Sequence, residues 1–88
     1  MKIYVEYYST NILNCGHGLN TVIKETPKTY VCENDVSKEQ FIVKKENMDI
    51  ITNVYDSLRF LTVAKDEKEG KEKSKKAYKE YFEKRDII

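Results

Sequence analysis

The chain has no tryptophan, one proline, three glycines, two cysteines and one histidine among its 88 residues. Each scarcity excludes something. Two cysteines are too few for the disulfide framework of a small secreted domain, so Cys15 and Cys32 are expected to stay free thiols. With only His17 beside them, a four-ligand zinc site would need Glu33 or Asp35 as an uncommon fourth donor, and no metal is expected. No apolar run approaches the roughly 18 residues of a membrane-spanning helix, which predicts no membrane partner. Glu6 and the polar Ser9, Thr10 and Asn11 interrupt the opening stretch before signal-peptide length, which predicts a cytoplasmic location. A surplus of one charge is missing too, with 16 basic against 15 acidic residues and a formal net charge of +1. That balance argues against a protein held on nucleic acid by many phosphate contacts and against an acidic DNA mimic. No phosphate-cradling glycine loop, Gly-x-Ser-x-Gly string or His-Glu-x-x-His string occurs, and the carboxylates are spread over turns and a charge-alternating tail. Neither catalysis nor a cofactor is expected.

What is present suffices for one small domain, residues 1–88. Ile, Val, Leu and Phe make up 22 of the 88 residues, enough for a modest core. Composition changes near residue 63, where nearly all the Ile and Val give way to Lys, Glu and Ala. Residues 1–63 therefore read as sheet and 64–86 as a C-terminal helix.

Residues 2–8 alternate, with Ile3, Val5 and Tyr7 on one face and Lys2, Tyr4, Glu6 and Tyr8 on the other, the period of a half-buried strand. Asn14, Gly16, Gly18 and Asn20 predict a wide turn. Leu19 to Thr26 and Thr29 to Glu33, joined at Pro27–Lys28, read as a hairpin with Val22 and Val31 toward the core. Phe41 to Lys45, Met48 to Tyr55 and Leu58 to Val63 follow, separated by turn signals at Glu46–Asn47 and Asp56–Ser57. This spacing predicts an α+β domain: an antiparallel sheet of about five strands, a meander or partly open barrel, packed by one helix.

The tail carries Glu→Lys pairs at i,i+4, including Glu67/Lys71 and Glu69/Lys73, with Thr62 as the expected N-cap. Tyr78, Tyr81 and Phe82 form its docking stripe, whereas Lys65 to Lys76 shows none, and Gly70 reads as a flaw costing about 1 kcal/mol.

Two groups of residues stand out as candidate partner-binding elements, the tyrosines of the first strand and the lysines of the helix. Cys15-Gly16-His17-Gly18 is suggestive of zinc or thiol chemistry but lacks the ligand count, and reads as a turn. Tyr4 and Tyr8 share a strand face, where they can pack under the helix, stack bases or grip another protein. Lys71, Lys73, Lys75 and Lys76 form a local cationic excess interrupted only by Glu72, readable as a solvated face or as an anion-facing surface.

Thr26-Pro27-Lys28-Thr29-Tyr30, Phe41-Ile42-Val43-Lys44-Lys45 and Leu61-Thr62-Val63-Ala64-Lys65 leading into a Lys/Glu helix resemble small uncharacterised proteins of Gram-positive phages and prophages. The resemblance spans about residues 20–85 and implies a mobile-element origin and a role of the anti-CRISPR type. The expected function is a non-enzymatic accessory protein that binds and inhibits a host protein, a defence nuclease being the target class, through Tyr4, Tyr8, Lys71, Lys73, Lys75 and Lys76. The alternative is a nucleic-acid-binding module using the same residues. An uncovered sheet edge would also allow a homodimer.

Overall fold

The computed structural model describes residues 1–8, 18–54 and 57–85. Their elements are β1 (Lys2–Tyr8), β2 (Gly18–Glu25), β3 (Thr29–Asn34), β4 (Gln40–Lys44), a 3-10 turn (Lys45–Asn47), β5 (Ile51–Val54), β6 (Ser57–Val63) and α1 (Glu67–Arg85). The expected α+β architecture is present, with six strands among the described residues in the order β4-β3-β2-β1-β6-β5, all antiparallel. β1 to β4 form a meander. The sheet as a whole does not, because β6 returns to pair with β1, so that Ile3 lies opposite Val63 and Tyr8 opposite Leu58.

Alternation along the strands gives the sheet two different apolar faces. One carries Ile3, Val5, Cys32, Val43 and Leu61, with Tyr7, Val22, Tyr30, Phe41 and Met48 packed around them. Ile3 and Cys32 are completely inaccessible, although α1 packs on the opposite face. The sheet closes over these residues itself by curling into a half-barrel, and this is its inner face. Val31 does not join them. Val22 pairs with Cys32, but a bulge between Val22 and Lys24 sets Lys24 opposite Val31, which faces outward with Ile42.

The segment from Lys45 to Ile50 carries the chain from one sheet edge to the other, and the expected strand from Met48 shortens to Ile51–Val54 for that reason. Met48 packs on the inner cluster. Asp49, in the left-handed region at φ 61, donates its N–H to the Leu61 carbonyl at 2.7 Å and accepts the Thr62 hydroxyl at 2.7 Å. Thr62 is thus a strand residue rather than a helix cap. Asp66 caps α1, its Oδ1 accepting from the Glu69 N–H at 2.9 Å.

Two buried asparagines inside the sheet are satisfied by each other and by backbone. Asn20 donates to the Ile3 carbonyl at 3.2 Å and Asn34 donates to Asn20 Oδ1 at 3.0 Å, a rung across β1, β2 and β3. Asn34 Oδ1 also accepts the N–H groups of Val36 and Ser37, shaping the β3–β4 turn.

α1 lies across the outer face over β1 and β6. Its docking stripe is Gly70, Ser74 and Tyr78, one residue per turn and all buried. The segment that reads as stripeless therefore has one, made of small residues. A Cβ on Gly70 would sit 2.6 Å from Tyr4 Cδ1 and closer still to Cγ, so the helix backbone rests directly on that ring.

Candidate functional site

Of the two tyrosines expected at the surface, Tyr4 is not there: it is 1% exposed beneath Gly70. That removes it from any partner-binding surface, because the glycine lets the helix approach too closely for the ring to be reached. Its hydroxyl donates to Glu6 Oε2 at 3.2 Å, and burial together with the Glu6 charge pushes its pKa far upward.

Tyr8 stands at the other end of the same strand face, 59% exposed. Its ring centroid lies 5.4 Å from that of Tyr78 and 5.2 Å from that of Phe82, and Phe82 meets Tyr81 edge-on at 5.4 Å. Tyr78 anchors the group. Its hydroxyl donates toward the Glu6 and Leu58 carbonyls at 3.0 and 3.1 Å, pinning α1 to both β1 and β6, and burial raises its pKa strongly. Tyr81 is half-buried and Phe82 is 36% exposed, so the expected three-ring stripe has only Tyr78 fully inside.

The four candidate lysines divide. Lys71 pairs with Glu67 at 3.3 Å, while Lys73 pairs with Glu69 at 3.4 Å and donates to the Val63 carbonyl at 2.8 Å. Lys75 and Lys76 are exposed and make no ion pair among the described residues. Helical spacing puts Lys73 and Lys76 on a different flank from Lys71 and Lys75. The flank that adjoins Tyr8 runs Lys68, Lys71, Lys75, Lys79 and Phe82, successive i,i+3 and i,i+4 neighbours. Glu67 and Glu72 sit beside the first three around a shallow depression. Lys68, Lys79 and Phe82 escape a reading of the sequence by local charge density, but the i,i+3/i+4 chain leading to Phe82 was there to be followed.

Elsewhere, Lys28, Lys44 and Lys45 border an open depression with Pro27, Thr29 and Glu46. Lys45 is occupied, paired with Glu25 at 2.6 Å and lying over the Tyr30 ring at 4.9 Å. Cys32 is a fully buried free thiol whose pKa burial pushes up, which makes it a poor nucleophile. Cys15 and His17 lie outside the described residues. Among the described residues no three potential metal ligands come together, and no helix is long and apolar enough to cross a membrane.

The arrangement sets an exposed aromatic, backed by the Tyr78 and Phe82 rings, beside a row of cations. Compared with known proteins, the chain matches no family model, no curated protein and no solved structure.

Proposed function

We propose that this α+β domain is a non-enzymatic binding module that docks onto an acidic patch of a protein partner. The contact surface is Tyr8, Phe82 and the lysine flank Lys68, Lys71, Lys75 and Lys79. The observation that carries the reading is Tyr8: an aromatic ring 59% exposed, yet held between Tyr78 and Phe82, loses little side-chain freedom on binding. Rigid aromatics of this kind serve as interface anchors, and neighbouring lysines steer an acidic surface toward them. The resemblance of the chain to small phage proteins makes a host protein, and a defence nuclease in particular, the first partner class to test, with inhibition as the consequence of docking.

The same pairing of an aromatic with cations also suits single-stranded nucleic acid, but the near-neutral whole-chain charge disfavours it. Affinity capture from host lysate with wild-type and Tyr8→Ala baits, followed by direct binding to the captured protein, tests the reading. A partner bound by the wild type and lost by the variant at unchanged folding supports it. Oligonucleotide binding that collapses between low and moderate salt replaces it with the nucleic-acid reading.

A further inference from the structure

On the inner face of the half-barrel, away from the proposed docking flank, one cross-strand row ends in unmet hydrogen-bonding groups. Tyr7 lies opposite Arg59 and Arg59 opposite Thr52, so the three share the face of Leu61 and Val5 at neighbouring positions on β1, β6 and β5. Side chains directly opposite in antiparallel strands stand about 4.5–5.5 Å apart at Cβ, which puts the guanidinium and the hydroxyl within reach of one ligand atom group. Arg59 Nε and Thr52 Oγ1 are both buried and both lack a hydrogen-bond partner. Among the described residues no carboxylate is ion-paired with Arg59.

A buried guanidinium N–H with no acceptor is rare in a folded protein and costs free energy, and among the described residues the group has no paired counter-charge. A hydroxyl one strand away supplies a second donor. A partner that accepts from both donors and carries negative charge, as an oxyanion does, would satisfy them together. The guanidinium fork matches carboxylate and phosphate oxygens alike. We infer that Arg59 and Thr52 form a binding site for the oxyanion of a ligand, a carboxylate or a phosphoryl group, at the β5–β6 end of the inner face.

The test uses the intact chain, which has only two arginines, Arg59 and Arg85, so that their Nε–H signals separate in a 15N-correlated NMR spectrum. The chain is titrated with inorganic phosphate and, separately, with acetate, against potassium chloride at matched ionic strength. A saturable shift of the Arg59 Nε–H signal, unmatched by Arg85, supports the site. Saturation by phosphate alone marks a phosphoryl ligand, and saturation by acetate marks a carboxylate one. Arg59→Lys, which keeps the charge but loses the fork, is expected to weaken that binding by about tenfold to a hundredfold, the loss typical of a charge-assisted hydrogen bond. Thr52→Val weakens it less. If the Arg59 signal fails to saturate with either anion, or moves no differently from the chloride control, the donors are met by water and the inference is wrong. The wild-type titration decides the matter even if a variant fails to fold.

Discussion

Gly70 of α1 rests on the ring of Tyr4 in β1 with no room for a Cβ between them. The residue least suited to a helix is the one that sets how closely this helix docks. Gly70→Ala should therefore destabilise the fold, even though alanine favours a helix over glycine by roughly 1 kcal/mol. Overpacking against a buried ring costs about 1–3 kcal/mol, and the site has only the helix itself to give way. Urea unfolding is expected to show a lower midpoint for the alanine variant; an equal or higher midpoint would mean that the helix can lift off Tyr4 freely.

The aromatic cluster should be unequal in its contributions. Tyr78→Ala removes a buried ring and is expected to cost about 3–5 kcal/mol. Tyr78→Phe, which forfeits only the hydroxyl shared by the Glu6 and Leu58 carbonyls, should cost roughly 0.5–1.5 kcal/mol. Phe82→Ala should cost less than Tyr78→Ala because its ring already meets water. The order Tyr78→Ala, then Phe82→Ala, measured by thermal or chemical unfolding, checks the assignment of Tyr78 as the anchor.

The two buried tyrosines give stability a defined response to alkali. Burial and the nearby Glu6 charge raise both Tyr4 and Tyr78 above the ordinary tyrosine value, which is about 10. Below that value both are neutral in folded and unfolded chains, and their contribution is fully present. Above it the unfolded chain releases protons that the folded one retains, so stability falls as pH rises toward the folded-state values, by up to about 1.4 kcal/mol per pH unit for each group. Unfolding measured from pH 8 to 11.5 should show that decline, and Tyr78→Phe should flatten it. Asp35 acts at the opposite end: the Lys2 ammonium and the Thr21 hydroxyl hold its pKa down. Its contribution is present above the ordinary aspartate range and is lost as pH falls through the folded-state value.

Charge reversals on the helix should separate by flank. Lys75→Glu with Lys76→Glu breaks no contact and should leave stability within about 0.5 kcal/mol. Lys73→Glu gives up a bond to the Val63 carbonyl and sets a second acid beside Glu69, so it should be the more destabilising change. Partner affinity should respond to Lys75→Glu more than to Lys76→Glu, since only Lys75 shares the flank of Phe82. Equal responses would take that flank out of the interface.

The strands were legible because alternation is written directly into the residues: β1 spans the expected Lys2 to Tyr8, and the Pro27–Lys28 turn falls where proline sets it. Two things were not legible, for one reason. That β6 would insert beside β1 and that Gly70 and Ser74 would carry the docking stripe both depend on what lies opposite in space, and glycine and serine have no hydrophobic signature of their own. Tyr4 and Tyr8 occupy equivalent strand positions. Only the path of the helix across them makes one core and the other surface.

The position of β1 also governs when the molecule can form. Its partners β2 and β6 lie on either side of it, and Ile3 pairs with Val63 across most of the chain, so the central strand cannot be closed until β6 has left the ribosome. Such distant pairing slows folding relative to a local hairpin. Until β6 follows, the nascent chain leaves one side of β1 open to strangers.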